Sequence, residues 1–124
     1  APVLIAWSTP AASSLLPSSG TVVGEGGSSW VQAPGQQEVL VTGEAAINAD
    51  DTTTLAASYG QGTTLGELLL HELGHVVGLG HTADANQIMY AVEHPMNSAS
   101  YQAGDLAGLA RVGRGAGCLI TPAP

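Results

Sequence analysis

His71, Glu72, His75 and His81 fall within one eleven-residue stretch, HELGHVVGLGH, and their spacing favours a single chemistry. On an α-helix, residues i and i+4 lie one above the other on the same face. His71 and His75 can therefore aim their rings at one point, with Glu72 beside that point. Gly78 tolerates a positive φ, which lets a helix stop and turn sharply. Such a turn would carry His81 back toward the other two histidines. Three imidazole nitrogens with a fourth position left open is the ligand set of a catalytic zinc ion, whereas a structural site is closed by a fourth ligand.

A zinc ion so held lowers the pKa of water toward neutrality and polarises a carbonyl. A carboxylate next to that water can accept its proton and hand it on to a leaving amine. Glu72 stands where this role requires it, and the reaction class that follows is hydrolysis of an amide or peptide bond. Met89 lies eight residues after His81. On spacing alone it reads equally well as a core methionine or as part of a turn beneath the metal.

The elements that must position these groups are legible in outline. Thr64-Leu65-Gly66-Glu67 fits a capping box, with Thr64 as N-cap and Glu67 reaching back. The main helix is predicted over residues 65–77, apolar nearly all round through Leu68, Leu69, Leu73 and Val76, and hence buried. In such a setting two histidines need a partner, which a metal provides. Before it, Pro2 to Trp7 (PVLIAW) reads as a buried strand and Glu38 to Asn48 as another, interrupted at Gly43. Short strands are expected at 21–24 and 28–31, with flexible backbone at 24–27 between them. Residues 9–19 read as a loop, and 52–62 are ambiguous, with a helical turn at Leu55, Ala56 and Tyr59 as one option. Leu106, Leu109, Ala110 and Val112 recur at helical spacing, so a second helix is predicted over 105–113.

Length and composition bound the answer. A chain of 124 residues, 44% of them apolar, is expected to form one small folded domain over 1–124, with sheet in 1–63 and helices in 64–124. The formal charge is -8, with Arg111 and Arg114 as the only fixed cations. That balance opposes binding to nucleic acid or to anionic membranes, and no apolar run is long enough to span a bilayer. The start at Ala1-Pro2, with no signal-peptide pattern, reads as a processed product. Cys118 is the only cysteine, so no disulfide can form within the chain.

The string HExxHxxGxxH is the signature of the metzincin zinc endopeptidases. Within that clan the chain most resembles the matrixin branch, the family of the matrix metalloproteinases. The supporting residues are His81-Thr82, Met89-Tyr90, the segment Gly104-Asp105-Leu106-Ala107-Gly108-Leu109, and the strands PVLIAWS and EVLVTGEAAINADD. The resemblance implies that His71, His75 and His81 bind one zinc ion, Glu72 is general base and acid, and Met89 forms the Met-turn below the metal. It implies that Asp105 hydrogen-bonds the backbone of that turn; a solvated carboxylate in a first helical turn is the plain alternative. Gly78 is the structural turn residue, and Tyr90 is not a ligand. It further implies a substrate pocket walled by Leu68, Tyr90, Ala91, Val92, Pro95 and Met96. An aliphatic or aromatic residue is expected just after the cleaved bond, with a polar or basic one as the alternative that Glu93 and His94 would favour.

The fold class implied is α+β: a zincin-like metzincin catalytic domain with a mixed twisted sheet, an active-site helix and a C-terminal helix. The family's usual first strand and first long helix have no counterpart before Pro2, nor does its histidine-rich second zinc site. The function implied is a zinc-dependent endopeptidase of secreted, bacterial type acting on peptides or proteins. The alternative is an inactive zinc-binding fragment or pseudo-protease. A calcium site near Asp50 and Asp51 is the less favoured reading of acids that are ordinarily just solvated. An inner strand without its neighbour leaves backbone unpaired, so self-association through the edge of Pro2–Trp7, or low stability, is expected.

Overall fold

The computed structural model describes residues 2–18 and 21–113, so Cys118, Arg114 and the end of the chain lie outside the described residues. Three strands and two helices follow in order: β1 (Val3–Ser8), β2 (Gly24–Val31), β3 (Val39–Asn48), α1 (Leu65–Val76) and α2 (Ala103–Val112). The strand order is β1-β3-β2. β3 is central, parallel to β1 and antiparallel to β2, so the sheet is mixed and the class is α+β.

Helix α1 packs against β2 and β3. Small residues on the sheet make that approach close. A side chain at Gly43 would strike Val76, and one at Gly26 would strike the backbone carbonyl of Glu72. Ala45, Ile47, Leu68 and Val76 are buried in this contact. Ile47 and Leu68 are each 1% exposed, and burial of such a side chain contributes roughly 1.5–3 kcal/mol.

The close approach corrects one expectation. Residues 24–27 are not a flexible spacer but the first half of an unbroken β2, and 21–23 lie outside any strand. Glycine weakens a strand on propensity, yet it is tolerated where another backbone comes near. Gly43 likewise sits inside β3 and does not interrupt it.

Strand β1 forms where expected but is not buried. Val3, Ile5 and Trp7 pair with Gly43, Ala45 and Ile47 and so share the helix-facing side. α1 covers β3 and β2 but not β1, which leaves Trp7 56% and Ile5 42% exposed on that side, while Leu4, 60% exposed, lies on the opposite face. Among the described residues β1 pairs only with β3, so its outer edge is open.

Residues 52–62 form turns and bends, tied by an isolated bridge between Ala56 and Thr64, with no helical turn. α2 begins at Ala103, two residues ahead of the expected start, because the Asp105 carboxylate reaches back to accept the N–H of Gln102, the N-cap. A second apolar cluster of Ile88, Met89 and Met96 lies beneath α1, with Leu70, Leu79 and Tyr101 packed against it.

Candidate metal centre

Thr64 caps α1 by accepting the Glu67 backbone N–H at 3.2 Å. The helix ends at Val76, with Val77 as C-cap. Gly78 then takes φ +98°, a conformation few other residues adopt. Its N–H donates to the His75 carbonyl, and the Leu79 N–H donates to the Gly74 carbonyl at 2.9 Å. This turn returns the chain so that His81 meets the two helical histidines.

The three Nε2 atoms form a nearly equilateral triangle: 3.1 Å between His71 and His75, 3.1 Å between His75 and His81, 3.2 Å between His71 and His81. Backbone carbonyls fix two of the tautomers. His71 Nδ1 donates to the Ile88 carbonyl at 2.7 Å, and His75 Nδ1 donates to the Leu79 carbonyl at 2.9 Å. A neutral ring that gives its Nδ1 proton away presents a bare lone pair at Nε2. Lone pairs held this close repel each other unless a cation sits among them. Tetrahedral zinc with bonds of about 2.0–2.1 Å sets its nitrogens roughly 3.3 Å apart, so the donor set fits zinc. Burial pulls the His71 pKa below its usual value, and the neighbouring His75 and His81 add to this, so the neutral, ligating form is favoured.

Glu72 is 4% exposed and lines the same cavity as the three histidines. Burial pushes its pKa up to about 7, with Glu25 and Glu93 contributing and the Gly26 amide opposing. Such a group can both hold and release a proton near neutrality.

Met89 is 2% exposed and packs under α1, where any side chain at Gly74 would run into its sulfur. Its turn is anchored from behind. Asp105, 4% exposed, accepts the Ile88 N–H at 2.8 Å and the Met89 N–H at 3.2 Å, together with the Gln102 N–H at 2.9 Å. The Ile88–Met89 peptide unit thus receives a hydrogen bond from His71 at its carbonyl and gives one to Asp105 from its N–H. The solvated alternative for Asp105 does not hold.

Two contributors escaped the sequence reading. Gln87, 8% exposed, accepts the Gly104 and Asp105 N–H groups at 2.8 and 3.0 Å and so ties the start of α2 to the turn. Gly24, Glu25 and Gly26 of β2 form one wall of the cavity. A lone glutamine and a glycine run carry no local signal for either role.

The cavity has a volume of about 740 Å³. Leu68, Tyr90, Ala91, Val92 and Glu93 line it, whereas Pro95 is exposed and stands apart from the lining. Met96 is buried in the apolar cluster below and is likewise not part of the wall. The His94 ring stands edge-on to Tyr90 at 5.4 Å. Asp50 and Asp51 are exposed, and Asp51 accepts from Asn48 at 2.8 Å. They belong to no group of three candidate ligands among the described residues, where His71, His75 and His81 are such a group.

A family model described as Matrixin (Peptidase M10) matches residues 25–112, which include the whole of this centre. Human matrix metalloproteinase-25 is 36% identical over 56 residues, an alignment covering 45% of this chain and 10% of that protein. No solved structure gives a significant match.

Proposed function

The chain belongs to the matrixin family, and on that premise we propose that it is a zinc-dependent endopeptidase. The observation that carries the reading is the triangle of Nε2 atoms at 3.1–3.2 Å, two of them deprotonated by the hydrogen bonds their rings make behind the site. His71, His75 and His81 hold the ion. When bound, zinc supplies Lewis acidity toward water and toward a substrate carbonyl. Glu72 takes a proton from the attacking water and delivers it to the departing amine. Asp105 and Met89 keep the floor in place, and Gly78 places His81.

The sheet supports a peptide as substrate. β2 lies at the sheet edge among the described strands, and Thr21 to Gly26 run along the cavity. An extended chain can add to such an edge through main-chain hydrogen bonds, leaving its side chains to alternate between cavity and solvent. The likeness to secreted proteases favours an extracellular site of action.

Metal analysis and peptide cleavage test the reading together. We expect about one zinc per chain, hydrolysis abolished by a chelator and restored by zinc. Glu72→Ala is expected to keep its zinc while hydrolysis falls roughly a hundred- to ten-thousand-fold. His81→Ala is expected to lose zinc and hydrolysis together, and full zinc affinity in that variant would refute the ligand set. Zinc binding without cleavage of any peptide in a broad library would leave the inactive zinc-binding alternative.

A further inference from the structure

The cavity is acidic to an unusual degree. Its charged lining residues, the three histidines apart, are Glu25, Glu72 and Glu93, and no Lys or Arg lines it among the described residues. Arg111, the one fixed cation among those residues, is on α2. Glu25 is exposed at the rim, and Glu72 is committed to the metal centre. Glu93 is different. It lines the wall formed by the segment after Met89, and its Oε1 is buried with no hydrogen-bond partner.

Behind it stands a second such group. Glu67, 4% exposed in the first turn of α1, also has a buried oxygen, Oε2, without a partner. The Glu67 carboxylate is close enough to Glu93 to be felt by it. Burial raises both pKa values; Glu67 further raises that of Glu93, while the His94 and Thr64 backbone amides and the His94 ring pull Glu67 back. The His94 ring itself stands edge-on to Tyr90 and meets the Val92 carbonyl at 3.2 Å. Buried carboxylate oxygens left without partners are costly and are relieved by an incoming donor of positive charge.

We propose that this cavity takes a cationic side chain, the ammonium of lysine or the guanidinium of arginine, with Glu93 as the specificity-determining residue and Glu67 reinforcing it. The inference rests on the peptidase reading for the placement of a peptide in the cleft. Leu68, Ala91 and Val92 supply apolar walls for the methylene stem, so both parts of a long basic side chain are matched. An aliphatic residue would fill the walls and leave Glu93 unpaired and more thoroughly desolvated.

Binding separates the inference from hydrolysis. Short hydroxamate-capped peptides, whose hydroxamate ligates zinc, would carry lysine, norleucine or glutamate at the adjoining position. Their affinities for the zinc-loaded protein would be measured by calorimetry. The lysine probe is expected to bind at least about tenfold tighter than norleucine, as a hydrogen bond to a charged partner allows, and the glutamate probe weakest. Glu93→Gln, of the same shape and uncharged, is expected to reduce the lysine advantage to about twofold or less, and Glu67→Gln to reduce it in part. Norleucine binding as well as lysine, no probe binding, or a lysine advantage surviving in both variants would overturn the inference. A lysine advantage in a protein that cleaves nothing would keep the inference and defeat the peptidase reading. Cleavage with no preference for basic residues would do the reverse.

Discussion

Replacing Asp105 by alanine tests whether the metal centre is held from behind. The carboxylate accepts three backbone N–H groups, from Ile88, Met89 and Gln102, at 2.8, 3.2 and 2.9 Å. Truncation leaves the first two buried and without partners, and hydrogen bonds to a charged group contribute about 1.5–3 kcal/mol each. Gln102 is half-buried and can turn to water, so its share is smaller. The expected loss is about 3–5 kcal/mol, a large part of the roughly 5–15 kcal/mol that stabilises an ordinary domain. The Ile88 carbonyl orients His71, so zinc affinity is also expected to fall, by about ten- to a hundredfold. Urea denaturation of the chelated protein reads the first effect, and competition with a zinc indicator reads the second. Asp105→Asn, which keeps one acceptor oxygen, is expected to lie between Asp105→Ala and wild type and to remain folded if Asp105→Ala does not. A loss under about 1 kcal/mol in Asp105→Ala with unchanged zinc affinity would refute the reasoning, since the turn would then hold itself.

Three further outcomes are expected. Glu72 has a native pKa raised from 4.5 to about 7, so the folded chain binds more protons than the unfolded one between those values, and stability of the chelated protein should fall as pH rises through that window. Buried His71, with its lowered pKa, works in the opposite direction at and below about pH 6.5, so the contribution is best read as the difference between wild type and Glu72→Gln, at most of order 3 kcal/mol. A wild-type stability, relative to Glu72→Gln, that rises with pH through that window would contradict the sign. Gly26→Ala is expected to destabilise the fold by about 2 kcal/mol or more and to cut hydrolysis, because the added methyl meets the Glu72 carbonyl; thermal melts that match wild type would disprove the close approach. The open edge and bare apolar face of β1 should drive concentration-dependent association, seen by sedimentation and suppressed by Ile5→Lys or Trp7→Lys; a wild-type monomer at high micromolar concentration would refute this.

The centre was legible in the sequence to the extent that it is local. His71, His75, Gly78 and His81 are joined by one helix and one turn, so spacing alone predicts their convergence. The Thr64 cap and the end of α1 follow from the same short-range rules. Asp105 required the family resemblance, because the contact with Ile88 and Met89 spans 16 and 17 residues and leaves no trace in periodicity. The sheet was legible in composition but not in burial. PVLIAW has the composition of an inner strand, yet whether α1 covers it depends on which strands the helix crosses. The glycines of β2 were misread for a related reason: their value lies in what approaches them from elsewhere in the chain.

The glycine-rich half of β2 also leaves alignment to others. A strand whose residues are mostly hydrogen atoms has little to tell one register from another two residues away. In this sheet the frame is set from outside that half. Asn48 closes one end, donating its backbone N–H to the Val23 carbonyl at 2.9 Å and its side-chain amide to the Val22 carbonyl at 3.0 Å. At the other end a bulge between Ser29 and Trp30 takes up the mismatch before Trp30 and Val31 pair with Leu40 and Val39. Asn48, 3% exposed, is not among the residues lining the cavity, yet it holds Val22 and Val23, which do line it and lead into β2. A single buried amide thus acts as the ruler that sets the frame of the cavity wall.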